Sequence, residues 1–373
     1  MIIRTFGWAF VITAIALVGA GILGGPVTLA VVAILIVLEV SLSFDNAVVN
    51  ATIVQRMSPF WQRIFLTVGV LIAVFGMRLI FPLVVVTIAA RLSPVEVVQL
   101  AIAGGDPETP GTYGYLLTAA HPAIAAFGGM FLLMLFLDFI FEDREVRWLT
   151  WLERPLARIG RLDQLSVIVA LIVLAVVAET LAEEPGTVLL SGVAGIVVYL
   201  AVNGLSGLFE GVGEEEGDDG PGIHADAEDV QEVVQRNGAA RPRTPGVVVG
   251  RAAFFLFLYL EVLDASFSFD GVIGAFAITQ DIFVIAVGLG VGAFYVRSLT
   301  VFLVRNGTLS EYIYLEHGAH WAIGALSVIL LVGIEFEVPE VVTGLVGVAF
   351  IGAAFVTSLV RNRRADRIER VDA

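Results

Sequence analysis

The sequence predicts an all-α polytopic membrane protein of about ten transmembrane helices, with an inverted-topology internal repeat. Three observations carry that prediction. Only 15% of the 373 residues are charged and 58% are hydrophobic, against roughly 25% and 45–50% in soluble domains. Uninterrupted apolar runs reach the roughly 20 residues that a helix needs to cross a bilayer. One acidic motif occurs twice, in segments of opposite predicted direction. The composition excludes a soluble enzyme, a nucleic-acid binder and a disordered chain. Continuous apolar runs, without polar alternation, exclude a β-barrel.

The apolar segments are 7–24, 27–52, 64–90, 122–141, 165–182, 187–209, 247–276, 281–304, 319–334 and 341–360. The first follows Arg4 as a signal peptide would. It lacks a small-x-small cleavage site and runs through Gly24, Gly25 and Pro26 into the second, so it is read as a retained helix. Arginine placement sets the direction of each segment. Arg56 and Arg63 flank the connection after the second, and Arg144, Arg147, Arg154, Arg158 and Arg161 crowd that after the fourth. Arg361, Arg363, Arg364, Arg367 and Arg370 lie on the tail, while the alternate connections carry acids such as Asp106, Glu183, Asp281 and Glu335. Ten helices then place both termini in the cytoplasm and the protein in the plasma membrane.

The chain divides into a first membrane half (1–209, repeat unit near 30–90), a cytoplasmic linker (210–246) and a second membrane half (247–373, repeat unit near 250–335). Glu210 to Arg243 holds ten acids and three arginines, which reads as a solvated linker with one short amphipathic helix over 226–235. The net charge is −15 and every basic residue is arginine, a pattern that salt adaptation and a GC-rich genome explain equally. Without cysteine there is no disulfide and no thiolate metal site.

Leu38-Glu39-Val40-Ser41-Leu42-Ser43-Phe44-Asp45 reappears as Leu263-Asp264-Ala265-Ser266-Phe267-Ser268-Phe269-Asp270, with five of eight positions identical. Downstream, Val68-Gly69, Phe75 and Arg78 recur as Val287-Gly288, Phe294 and Arg297. Segment two runs inward and segment seven outward, so the copies are antiparallel, as in transporters whose sites lie between inverted repeats.

Seven ionisable residues lie inside apolar segments: Glu39, Asp45, Arg78, Glu261, Asp264, Asp270 and Arg297. Each costs roughly 2.5–3.5 kcal/mol at a helix centre, and five carboxylates outnumber two arginines. Carboxylates six residues apart sit about 120° apart on a regular helix. Convergence on one ion therefore predicts unwinding between them, favoured by Ser41, Ser43, Ser266 and Ser268. Unwound backbone adds carbonyl ligands for a hard cation, and Asn46 adds an amide oxygen. The competing reading pairs Asp45 with Arg78 and Asp270 with Arg297 as structural ion pairs.

Weaker candidates are Asp138, a vestibule residue or a snorkelling helix end, and Glu316, His317 and His320. The His-x-x-His spacing suits a metal, but a polar helix start explains it more simply. Asn203 reads as an interhelical hydrogen-bond partner.

The E-x-x-x-x-F-D-N-A-V pattern from Glu39 to Val48, with Glu261, Asp264, Asp270 and Arg297 in the second copy, resembles the TerC family of integral membrane proteins. The resemblance covers both repeat units. It implies an inverted-repeat fold similar to lysine-exporter-type transporters and a link to manganese export and tellurium resistance. It also implies ion-handling roles for Glu39, Asp45, Glu261, Asp264 and Asp270. Gly271 stands where a polar residue is expected in that family.

Taken together, the expectation is a divalent-cation exporter, manganese foremost, with Glu39, Asp45, Asn46, Glu261, Asp264 and Asp270 as ligands and Arg78 and Arg297 as compensating or gating charges. Oxygen ligands without thiolates favour manganese, magnesium or calcium over zinc or copper. The metal is substrate, no cofactor is permanently bound, and H+ or Na+ is the coupling ion. The partners are lipid and ions; no nucleic acid and no enzymatic activity are expected. The alternative is a membrane assembly or metal-delivery factor.

Overall fold

The computed structural model describes residues 2–215 and 248–372, apart from 145, 161, 163, 280, 306–310 and 337. Most of the acidic linker, with its expected helix over 226–235, lies outside the described residues. So do several side chains within helices, among them those of Asp45 and Asp270. Among the described residues the regular elements are all helices, and one isolated bridge joins Met57 to Val248. Seven helices are long and apolar enough to cross a membrane, which marks a polytopic membrane protein.

Helix α1 spans Ile2–Leu42 but is not one rod. Gly25 has φ 78°, a conformation that favours glycine, and Pro26 restarts the helix. Both parts of α1 run along a later helix, α11 in chain order (Ile282–Arg305), and the contacts show reversal at Gly25. Phe6 packs on Phe302 and Thr13 Oγ1 lies 2.9 Å from the Tyr295 hydroxyl. Much further along the chain, the Ala47 carbonyl accepts from Thr300 Oγ1 at 3.3 Å. A straight helix from Phe6 to Ala47 would extend about 60 Å, whereas Thr300 and Phe302 are near neighbours. The long α1 is therefore a hairpin of two apolar helices.

Helix α2 (Phe44–Val54) follows a one-residue break at Ser43. The next crossing is composite: α3 (Pro59–Leu71), a π-helical stretch (Ile72–Ile80) and α4 (Phe81–Ala90). Pro82 has no N–H to give the Arg78 carbonyl and its ring crowds that carbonyl, a local reason for the wider winding just before it. Short α5 (Pro94–Ala103), held by a capping box of Ser93 and Glu96, fills the connection to α6 (Tyr113–Phe141). There follow amphipathic α7 (Thr150–Ile159), α8 (Leu165–Thr180), α9 (Pro185–Glu215), α10 (Gly250–Ile278), α11, α12 (Leu315–Val332) and α13 (Glu340–Asp372).

α6 is the central post. Met130, Phe131 and Met134 are almost wholly buried and belong to one core with Leu174, Tyr199, Tyr259 and Ile323 from four other helices. Outward faces stay apolar, with Trp8, Ile22, Leu23, Ile88 and Leu190 exposed as lipid-facing residues are.

The winding between the paired carboxylates differs from expectation. The first copy breaks only at Ser43, and the i to i−4 bonds Ser43 N to Glu39 O and Ala47 N to Ser43 O persist across it. The second copy is unbroken α-helix from Gly250 to Ile278. The Ser266 hydroxyl bonds the Val262 carbonyl of its own helix instead of displacing a backbone bond.

Candidate functional site

Five of the seven intramembrane ionisable residues meet in one cluster between α1, the π stretch, α10 and α11. Glu39, Arg78, Asp264 and Arg297 are each 2% exposed and Glu261 is 6% exposed. Arg78 is the bridge. Its Nη2 bonds Glu39 Oε1, and its Nη1 lies 3.5 Å from Asp264 Oδ2 and donates to the Ala73 carbonyl at 2.7 Å. Ala73 is five residues back, within reach because the π winding widens the turn.

Arg297 answers it from the other side. Its Nη2 is 3.5 Å from both Glu261 Oε1 and Asp264 Oδ2, and its guanidinium lies 3.9 Å from the Phe65 ring centre. Asp264 is thus shared by both arginines, and it also accepts from Asn46 Nδ2 at 2.8 Å. Ser43 Oγ donates to Glu39 at 3.0 Å.

Arg78 takes Glu39 and Asp264, and Arg297 takes Glu261 and Asp264. The expected pairs of Arg78 with Asp45 and of Arg297 with Asp270 lie outside the described side chains.

Helices approach closely around the cluster because small residues face it. A Cβ on Gly69 would lie 2.8 Å from Glu261 Oε1, and one on Gly271 would lie 3.3 Å from Glu39 Oε2. The absence of a polar side chain at Gly271 thus makes room for Glu39. Among the described residues no three His, Asp or Glu side chains are arranged to hold a metal ion.

The cluster leaves polar capacity unused. Both carboxylate oxygens of Glu261 and the Nη1 of Arg297 lack hydrogen-bond partners among the described residues. So do both amide atoms of Asn50, which is fully buried one turn beyond Asn46 on α2. An unpaired buried group costs about 1–3 kcal/mol, so Asn50 stands out as a residue the sequence reading missed. Its only signal was a second asparagine four positions after Asn46.

The weaker candidates lie elsewhere, around a cavity of about 230 Å³. Asp138 lines it and accepts from the Tyr199 hydroxyl at 2.7 Å, and Glu316, His320 and Asn203 line it too. Asn203 therefore faces a cavity. His320 does not share a ligand with His317: it stacks on Phe139 at 3.6 Å, its Nδ1 bonded to the Glu316 carbonyl. His317 Nδ1 instead donates to Glu153 on α7 at 3.2 Å. Both histidines sit in the first turns of α12, the polar helix start that the simpler reading expects.

Glu153 is a hub that the sequence reading also missed. Besides His317 it accepts from Trp321 Nε1 at 3.1 Å and from the backbone N–H of Trp148 and Leu149. Burial alone raises its pKa, but the hydrogen bonds from His317, Trp321 and the Leu149 backbone outweigh burial and hold it below the usual carboxylate value. The contact latches interfacial α7 onto α12.

The profile of a family described as "Protein of unknown function (DUF475)" matches residues 44–365. No curated protein and no solved structure matches the chain significantly.

Proposed function

We propose that this chain, which belongs to the DUF475 family of membrane proteins, is a secondary transporter that exports divalent metal cations, manganese foremost, through its intramembrane carboxylates. The carrying observation is the buried cluster in which three carboxylates, Glu39, Glu261 and Asp264, face two arginines. The two sequence copies carry two further acids, Asp45 and Asp270. A cation offsets the surplus; an anionic cargo such as tellurite increases the repulsion. Hard oxygen donors without thiolates suit manganese.

Contacts across the two copies support an inverted repeat. The copies align with a shift of 225 positions, Leu38 onto Leu263. Under that shift the approach of Glu39 to Gly271 becomes the Asn46–Asp264 bond, and both are present. The Glu39–Arg78 pair also has its counterpart in Asp264–Arg297, the arginines aligning with a shift of 219 positions, six fewer than the acidic motif. Two contacts exchange in this way only when the helices cross antiparallel.

Ten crossings with cytoplasmic termini fit the distribution of helix ends. One cavity gathers Arg56, Asp138, Asn203, Leu256 and Glu316, the ends assigned to the inner face. Val86, Tyr113, Val272 and Ile282, assigned to the outer half, share a separate apolar cluster. The hairpin at Gly25, the short apolar helix α8 and the charged helix α10 supply the three crossings beyond the seven that length and apolarity alone mark.

In this mechanism Arg78 holds Glu39 and Asp264 while the site is empty and releases them when a cation arrives. Arg297 acts in the same way from the second copy. H+ or Na+ drives the exchange. The TerC resemblance of Glu39 to Val48 points to the same cargo class. The experiment is growth and cellular metal content of manganese-loaded cells expressing either the protein or its Asp45→Asn form. Protection by the first and not the second is the expected result; equal protection by both returns the cluster to a structural role.

A further inference from the structure

We propose that Asn50 is a cation way-station, an amide ligand for a metal ion passing between the charged cluster and the cavity of about 230 Å³. The inference rests on the transport reading above and names a residue that it does not require.

Three observations converge on Asn50. Its side chain is 0% exposed, and neither its amide nitrogen nor its amide oxygen has a partner among the described residues. Buried amides in folded proteins are almost always paired, so an unpaired one is explained by a partner that visits. Second, Asn50 lies one helical turn beyond Asn46, which bonds the cluster through Asp264. Third, its neighbours on α2, Val49, Thr52 and Ile53, form part of the cavity wall. With about 1.5 Å rise per residue, Asn46, Asn50 and Ile53 mark steps of roughly 6 and 4.5 Å between cluster and cavity.

The chemistry suits transit. A neutral amide oxygen is a hard ligand that replaces one water of a divalent ion without adding a charge that traps it. Acids and arginines meet at the cavity: Asp138, Glu142 and Glu316 line it with Arg56 and Arg144, one acid in excess, and Arg144 pairs with Glu142 at 2.6 Å and with Glu316 at 3.3 Å. A path from this cavity, where Asp138 stands apart from the Arg144 pairs, through one neutral oxygen to a carboxylate cluster gives the ion an oxygen at each step.

The test uses full-length protein in liposomes, with internal manganese read by a quenched dye, and three variants: Asn50→Leu, Asn50→Ala and Asn50→Ser. Asn50→Leu is expected to keep the wild-type thermal stability and the manganese-induced melting shift that the cluster provides, while transport falls at least ten-fold. Asn50→Ser, which retains an oxygen, is expected within about three-fold of wild type and well above Asn50→Ala. Wild-type transport rates in Asn50→Leu, or equal rates in Asn50→Ser and Asn50→Ala should Asn50→Leu misfold, overturn the way-station and leave the transport reading standing. Wild-type protein that neither shifts its melting with manganese nor moves it overturns both.

Discussion

Asn46 Nδ2 donates to Asp264 Oδ1 across 2.8 Å, joining residues 218 positions apart and tying the acidic helix of one sequence copy to that of the other. Asp264 also lies 3.5 Å from both Arg78 and Arg297. It is the one described carboxylate that both arginines share, so the cluster is a single network and not two independent ion pairs.

Removing the amide should therefore weaken the junction. Asn46→Ala is expected to cost about 1.5–3 kcal/mol, the value of a buried hydrogen bond to a charged group. Chemical unfolding in detergent micelles checks it. A loss below about 0.5 kcal/mol means that this bond does not hold the copies together.

Arg78 compensates two buried acids at once. Arg78→Met leaves Glu39 without its arginine and Asp264 with Arg297 alone, and is expected to destabilise by about 3–5 kcal/mol. Adding Glu39→Gln removes one uncompensated charge and should restore part of that loss. Unfolding midpoints of the single and double variants decide the matter, and a double variant no better than the single one contradicts the pairing.

Close packing of the α1 hairpin on α11 depends on glycine. A Cβ at Gly288 would lie 2.5 Å from the Leu35 Cβ, whereas one at Gly352 on α13 meets nothing within 4 Å. Gly288→Ala should cost about 1–3 kcal/mol through overpacking. Gly352→Ala should be neutral or gain up to about 1 kcal/mol from helix propensity. Equal melting temperatures for the two variants would count against this helix contact.

The α7 latch should be acid-sensitive. Glu153 has a folded pKa below its ordinary value of 4.5. The stability it contributes is therefore fully present above about pH 4.5 and is lost as pH falls through the lower folded value. Hydrogen exchange of the α7 amides should accelerate below that pH in the wild type. In Glu153→Gln it should be fast at neutral pH and show no acid step. An acid step of the same size in Glu153→Gln would assign the transition to another group.

Much of this architecture is readable from residue order because lipid removes alternatives. Each of the ten apolar segments coincides with helix, and the repeat of Leu38–Asp45 at Leu263–Asp270 points to the helices that carry the cluster. Pattern alone names Glu39, Arg78, Glu261, Asp264 and Arg297, since a charge inside an apolar run is costly without a partner. The partners are not readable. That Arg78 reaches both Glu39 and Asp264 depends on helix rotation and on π winding over Ile72–Ile80, which no residue in that stretch announces. The role of Glu153 is hidden for a similar reason: its side-chain donors reach it only when α7 folds back onto α12, where His317 lies 164 positions further along the chain. Serine content predicted unwound backbone in both copies, but a serine that bonds its own helix, as Ser266 does, leaves the winding intact.

The most direct test of the central claim is the manganese-dependent thermal shift of purified protein, measured beside a variant carrying Asp45→Asn and Asp270→Asn together. The account predicts a rise in melting temperature with manganese for the wild type that grows with metal concentration, as ligand binding to the folded state requires, and no rise for the double variant. An equal rise in both, or none in either, would contradict a cation site among these carboxylates.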